Sequence, residues 1–141
     1  MKKLLGLVAI LAFSVASYAQ KGPKIEFKAK DNTIDYGTVT KGDEGAATRV
    51  FKFTNTGKTP LILSSCRGSC GCTVPTCPTE PILPGKGGEI KVHYDINRVG
   101  PFTKTVTVTS NAKNPNETLK ITGTVNDPAA GTAPAAPAGG H

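Results

Sequence analysis

Four cysteines lie within twelve residues of this 141-residue chain, and the chain has no others: Cys66, Cys70, Cys72 and Cys77. Cysteines can form disulfides, bind a soft metal ion as thiolates, or exchange electrons with other thiols. Four cysteines allow three pairings, and the sequence alone does not choose among them. The first question is therefore which of these chemistries the surrounding elements support.

Residues 1–19 have the pattern of a secretory signal peptide. Two lysines precede an apolar run over residues 4–15, and Ser17 and Ala19 are the small residues expected before a cleavage site. The run is shorter than the ~20 residues that a membrane-spanning helix needs. We therefore expect an exported protein, periplasmic or extracellular, with no membrane span after cleavage. Disulfides persist in such compartments.

The charge of the chain is positive but dispersed. Seventeen Lys and Arg against ten Asp and Glu give +7, and most lysines stand singly within strand-like segments. Nucleic-acid binding requires a basic stripe with stacking aromatic residues, which is not visible here. The segment 127–141 is nearly all Pro, Ala and Gly and predicts a flexible tail. The folded domain is expected over residues 23–126.

Within that domain, apolar and polar residues alternate with a period of two, which is typical of half-buried strands. About seven strands with one apolar face each must cover one another. We therefore predict an all-β fold, a two-sheet antiparallel Ig-like β-sandwich, with a β-barrel as the alternative. The chain has no Trp and its cysteines are clustered, so the likeness to an antibody domain is architectural only. The alternating segments are 24–30, 33–39, 49–55, 60–65, 89–96, 102–110 and 118–125.

Motifs spread over most of the domain resemble a family of exported bacterial proteins of unknown function with a Cys-Gly-Cys-Thr signature. That family is similar to the Ig-like modules of hydin and major sperm protein, which bind or scaffold other molecules. The resemblance therefore implies a sandwich fold and export, and it assigns no reaction. The matching motifs are Phe53-x-Asn55-x-Gly57, Pro60-Leu61, Cys70 to Pro75, Pro84-Gly85, Val92-x-Tyr94-Asp95, Gly100-x-Phe102-x-Lys104, Ser110-Asn111 and Gly123-x-Val125.

The family pattern contains only the two cysteines of Cys-Gly-Cys, so Cys66 and Cys77 are additional. The resemblance implies that this additional pair forms one bridge, which would stabilise its loop by ~2–3 kcal/mol. Cys70 and Cys72 then remain as a second disulfide, a free dithiol or a soft-metal clamp. Gly71 between them is expected to permit an unusual backbone conformation.

Metal binding and redox exchange are the two alternative functions. Two thiolates one residue apart suit Cu(I), and four could hold zinc, although the spacing matches no standard zinc motif. His93 is the one additional ligand available, on a polar strand face. Redox proteins usually place Cys-x-x-Cys at a helix N-terminus, whereas no helix is predicted here. Arg67 is close enough in sequence to stabilise a thiolate.

We interpret the chain as a non-enzymatic binding or scaffolding module without a cofactor, metal or catalytic residue. The partner is an unidentified protein or cell-envelope component. It would dock on a free sheet edge or on the loop around Cys70 to Val74, with Arg67, Gly71 and Thr73 as the binding-loop residues.

Overall fold

The computed structural model describes residues 22–130, which form two four-stranded β-sheets packed face to face. The strands are β1 (Ile25–Phe27), β2 (Thr33–Thr40), β3 (Thr48–Asn55), β4 (Leu63–Gly68), β5 (Thr73–Thr76), β6 (Gly87–Tyr94), β7 (Gly100–Ser110) and β8 (Asn116–Asn126). Sheet I has the order β1-β3-β6-β5 and sheet II the order β2-β8-β7-β4. Three short 3-10 helices complete the described chain: Lys30–Asn32, Glu44–Ala46 and Pro128–Ala130.

The predicted Ig-like sandwich is confirmed, with two differences. There are eight strands, because β5 was not predicted, and β2 runs parallel to β8, so the pairing is not wholly antiparallel. β5 contains Pro75, which lowers the strand signal of a segment that is only four residues long. The predicted signal peptide 1–19 and the tail beyond residue 130 lie outside the described residues.

The alternation of apolar and polar residues positions the core as the sequence predicts. Val106 and Val108 of β7 and Leu119 and Ile121 of β8 are buried between the sheets. Thr107 lies between the two valines and is exposed on the outer face of sheet II. Each such strand therefore stabilises the sandwich through one face.

Three aromatic rings join the sheets in the core. Tyr94 of sheet I stacks on Phe102 of sheet II with 3.9 Å between ring centroids, and Tyr36 meets Phe102 edge-on at 5.5 Å. The Tyr36 hydroxyl donates a hydrogen bond across the sandwich to the Val92 carbonyl, at 2.7 Å. Burial raises the pKa of Tyr36 to about 12, although the Arg49 guanidinium opposes that rise. Tyr36 is therefore a neutral donor at physiological pH.

The buried Asn55 explains the Phe53-x-Asn55-x-Gly57 motif. Its side-chain amide donates to the carbonyls of Thr59 and Ile82, at 2.8 and 2.9 Å, and its oxygen accepts from the Gly57 amide. A buried polar group needs such partners, since leaving it unpaired costs ~1–3 kcal/mol. Asn55 thus anchors two connections that cross the end of the sandwich. Between residues 22 and 130, no helix is long and apolar enough to cross a membrane.

Candidate functional site

The four cysteines lie where edge strands of the two sheets meet. β4 is an edge of sheet II, β5 is an edge of sheet I, and only residues 69–72 connect them. We call residues 66–77 the cysteine loop. The structure joins its cysteines in two disulfides, Cys66–Cys77 and Cys70–Cys72.

The outer disulfide, Cys66–Cys77, connects the two sheets. Cys66 lies within β4, paired with Val108 of β7, and Cys77 directly follows β5. Their Cα atoms are 6.3 Å apart, within the range that a disulfide accommodates. The sequence suggested that the strand ends near Cys66, whereas β4 continues to Gly68. The bond therefore fixes sheet II to sheet I as well as closing a loop.

Residues 77–82, which we call the strap, run antiparallel beside the outer edge of β4. One end is held by the disulfide to Cys66, and the other by two hydrogen bonds of 2.8 Å between Leu61 and Ile82. The two attachment points are five positions apart on each segment, so the segments keep one register. Pro78 and Pro81 have no N–H to donate. The strap therefore covers the edge without continuing the ladder.

The inner disulfide, Cys70–Cys72, spans a single residue within a tight turn. The Thr73 amide donates to the Cys70 carbonyl at 3.2 Å, and the Asp95 amide donates to the Cys72 carbonyl at 2.8 Å. Gly71 at the tip is exposed, its φ lies outside the left-handed region, and an added Cβ would meet open space. The turn thus does not use the unusual backbone freedom that the sequence suggested for Gly71.

Thr73 places a buried hydroxyl beside both sulfurs of the inner disulfide. Thr73 is 2% exposed, and its Oγ1 lies 3.8 Å from Sγ of Cys70 and 3.7 Å from Sγ of Cys72. Within the described residues, these sulfurs are the only hydrogen-bonding partners of that hydroxyl. Cys72 is 4% exposed, whereas Cys70 is only partly buried.

A close backbone approach holds this arrangement. A Cβ at Gly68 would overlap with the backbone oxygen and carbonyl carbon of Thr73. The crossing of β4 over the start of β5 therefore requires glycine at position 68, since backbone atoms cannot move aside. This requirement was not visible in the sequence, because it depends on which strands cross.

The three residues predicted to form a binding loop do not share a surface. Arg67 alternates with Cys66 along β4 and is exposed on the outer side of sheet II. Gly71 is exposed at the turn, whereas the Thr73 side chain is buried. Val74, at the end of the predicted loop, is 53% exposed on the outer face of sheet I, because it alternates with buried Thr73 along β5.

His93 of β6 lies opposite Val74 of β5, and its ring contacts other side chains on the outer face of sheet I. Its Nδ1 is 3.2 Å from the Thr48 hydroxyl, and its Nε2 is 3.9 Å from a Glu44 carboxylate oxygen. Within residues 22–130, no three His, Cys, Asp or Glu side chains are grouped so that they could hold a metal ion.

Two sheet edges are blocked by local chemistry. The Asn114 side chain acts as a partner for β1, because it donates to the Ile25 carbonyl at 2.9 Å and accepts from the Ile25 amide at 3.3 Å. β5 carries Pro75, and proline on an edge strand removes a donor from the ladder.

The other two edges are also interrupted. β2 has a bulge between Asp35 and Thr38, where Gly37 has a φ of 67° and donates its amide to the Asp35 carboxylate. β4 is covered by the strap. Natural sheets use such features to prevent edge-to-edge pairing. The edges are therefore poor sites for strand addition, which was one of the two predicted binding modes.

Comparisons with known proteins agree with this architecture. A family model of proteins of unknown function, DUF1573, matches residues 26–125. No curated protein has a matching sequence. The structure of a protein of unknown function from Porphyromonas gingivalis W83 is similar, with a TM-score of 0.63, 16% identity and coverage of 77% of this chain. This chain spans about half of that protein, 50% of its length.

The PapD-like domain 7 of human CEP192 is similar over 90% of this chain and 98% of that domain, with a TM-score of 0.58 and 12% identity. A chain of the CsuC–CsuE complex of chaperone and tip adhesion subunit from Acinetobacter baumannii is also similar, with a TM-score of 0.50 and 12% identity. The match covers 72% of this chain and 57% of the chain in that complex. The secreted serine protease VesC from Vibrio cholerae also matches, with a TM-score of 0.50 and 16% identity, over 76% of this chain and 24% of the protease.

Similarities at these identities establish the fold alone, and they include a chaperone–subunit complex as well as part of a protease. The family match covers most of the chain, including the domain that carries the cysteine loop. The protein is therefore a member of the DUF1573 family, with a PapD-like, Ig-like β-sandwich fold.

Proposed function

We propose that the mature protein is an exported, non-enzymatic module that binds or scaffolds a protein or cell-envelope partner through the cysteine loop. The observation that carries this proposal is a surface that is both exposed and rigid. Val74 and Gly71 are both exposed, three positions apart on a segment braced by the Cys66–Cys77 disulfide. A surface ordered before binding loses less conformational entropy when a partner docks.

The blocked sheet edges favour this loop over strand addition as the mode of binding. The fold itself is compatible with such a role, since the Acinetobacter chaperone of this fold is in complex with an adhesion subunit. Val74 supplies apolar contact area, while Gly71 leaves the backbone of the turn accessible.

Export is supported by the sequence of residues 1–19 and by the disulfides, which persist in oxidising compartments. Cleavage after Ala19 would leave Gln20 as the first residue. N-terminal sequencing of the protein recovered from the cell envelope fraction should read Gln20. A retained Met1, or recovery in the cytosol, would contradict export.

Site-specific photocrosslinking in the native host tests the binding surface. A benzoylphenylalanine at Val74 should give a discrete adduct, whereas one at Leu83 should not, although the two positions are 53% and 55% exposed. The adduct should weaken when Cys66 and Cys77 are both replaced by Ala, because the loop then loses its brace. Equal adducts at both positions, or an adduct that does not depend on the disulfide, would refute the proposal.

The soft-metal alternative makes a competing prediction. It requires Cys70 and Cys72 as thiolates, so the reduced protein should take up Cu(I) with one equivalent per chain. Cys70→Ala should abolish that uptake. Uptake by the wild type but not by this variant would replace the binding-module proposal with a metal-carrier function.

A further inference from the structure

The inner disulfide has a hydrogen-bond environment that suits its reduced form better than its oxidised form. The Thr73 hydroxyl is buried and has only the sulfurs of Cys70 and Cys72 as partners. A disulfide sulfur accepts hydrogen bonds weakly, whereas a thiolate is a charged acceptor and forms much stronger ones. A buried hydroxyl with a weak acceptor is poorly satisfied, and it gains a strong acceptor when the disulfide opens.

We propose that Cys70–Cys72 is a thiol–disulfide exchange site that accepts two electrons from a dithiol substrate. Thr73 donates to the thiolate that forms at each step. This function adds a redox activity to the module proposed above, which is non-enzymatic in its binding role, and it does not depend on partner binding. It differs from the usual Cys-x-x-Cys arrangement, because the stabilising donor is a side-chain hydroxyl rather than a helix N-terminus.

Accessibility decides which sulfur is attacked. Cys70 is partly exposed and Cys72 is 4% exposed, so an incoming thiolate reaches Sγ of Cys70. A bond forms between the substrate sulfur and Cys70, the Cys70–Cys72 bond breaks, and its electron pair leaves on Cys72. The departing thiolate lies beside the Thr73 hydroxyl, 3.7 Å away before the bond breaks.

The second step releases the oxidised substrate. The second thiolate of the substrate attacks the substrate sulfur that is bonded to Cys70. This forms the substrate disulfide and expels Cys70 as a thiolate. The substrate loses two electrons, and the pair Cys70 and Cys72 gains them. Of the two protons of the substrate thiols, one ends on Cys70 and the other is released to solvent, because Cys72 stays a thiolate beside the Thr73 hydroxyl. The reverse sequence would reduce a substrate disulfide.

Backbone hydrogen bonds keep the two thiols together after reduction. The turn from Cys70 to Thr73 retains its own hydrogen bond, and the Cys72 carbonyl remains bound to the Asp95 amide. The outer disulfide holds the loop to both sheets independently. The reduced pair therefore stays positioned for reoxidation, which makes the reaction reversible without unfolding.

Redox equilibration of the full chain with reduced and oxidised dithiothreitol tests the proposal. Alkylation and peptide mass spectrometry then give the reduced fraction of each cysteine pair. Thr73→Val, which removes the hydroxyl and keeps the shape, should lower the equilibrium constant for reduction of Cys70–Cys72 about tenfold, or about 30 mV for two electrons. Thr73→Ser should stay near the wild type. Thr76→Val is the matched control on the same strand, where Thr76 is exposed, and should change nothing.

A second measurement needs no variant. Brief treatment of the wild type with reduced glutathione, followed by acid quenching, should place the mixed disulfide on Cys70. The inference is overturned if glutathione attaches to Cys72 or only to Cys66 and Cys77. It is also overturned if Thr73→Val and Thr76→Val both have the wild-type equilibrium constant for reduction of Cys70–Cys72.

Discussion

The two disulfides of the cysteine loop have the same chemistry but opposite surroundings. Cys66–Cys77 joins residues 11 apart in sequence and connects an edge strand of one sheet to the strap that leaves the other. Cys70–Cys72 joins residues two apart, within a turn that already has backbone hydrogen bonds at both ends. The outer bond therefore supplies a connection between sheets that the ladders do not make, while the inner bond adds little to a turn that is already fixed.

This difference separates a structural role from a chemical one. The outer bond restricts the unfolded chain over a longer loop and holds the strap over β4. The inner bond lies next to a buried hydroxyl that favours its opening. The role of a disulfide in this small domain is thus decided by its surroundings and not by its presence alone.

The largest expected effect is on the free energy of unfolding when each disulfide is removed. Cys66→Ala with Cys77→Ala should lower it by about 3 kcal/mol, and Cys70→Ala with Cys72→Ala by about half as much, since the stabilisation grows with loop length. Urea unfolding followed by circular dichroism measures both. Equal losses, or a larger loss for the inner pair, would remove the distinction between the two bonds.

The two glycines of the loop should show the next largest contrast. Gly68→Ala places a Cβ against the Thr73 backbone and should lower the free energy of unfolding by about 1–3 kcal/mol. In Gly71→Ala the added Cβ points into open space, so the free energy of unfolding should change by less than about 0.5 kcal/mol. A tolerated Gly68→Ala would mean that β4 and β5 do not approach as closely as the structure places them.

The smallest expected effect is that of the Thr73 hydroxyl on the stability of the oxidised protein. Thr73→Val should change the free energy of unfolding by less than about 1 kcal/mol, because the oxidised sulfurs are weak acceptors and the shape is kept. Urea unfolding under oxidising conditions measures this. A loss of several kcal/mol would show that the hydroxyl stabilises the fold rather than the thiolate.

The sequence predicted the sandwich because its signal is local. Period-two alternation places Val106, Val108, Leu119 and Ile121 on one side of their strands wherever those strands pair. β5 was missed because four residues with a central Pro75 carry almost no periodicity. The parallel pairing of β2 with β8 was also missed, since alternation fixes which face is buried and not the direction of the neighbour.

The site was predictable only in part, for the same reason. The cysteines and their neighbours Arg67 and Gly71 could be named from the sequence, but their surroundings are set by long-range contacts. The approach of Gly68 to Thr73 requires β4 and β5 to cross, and the placement of the Thr73 hydroxyl beside the two sulfurs depends on the conformation of the turn at the start of β5. No local pattern specifies that crossing.

Stepwise reduction of the folded protein tests the central claim most directly. The wild type is titrated with dithiothreitol, thiols are trapped at each step by isotope-coded alkylation, and circular dichroism is recorded on the same samples. The account predicts that Cys70 and Cys72 are labelled first while the β-sheet signal is unchanged, and that Cys66 and Cys77 are labelled later, together with a loss of stability. Labelling of Cys66 and Cys77 first, or of all four cysteines in one step with unfolding, would contradict it.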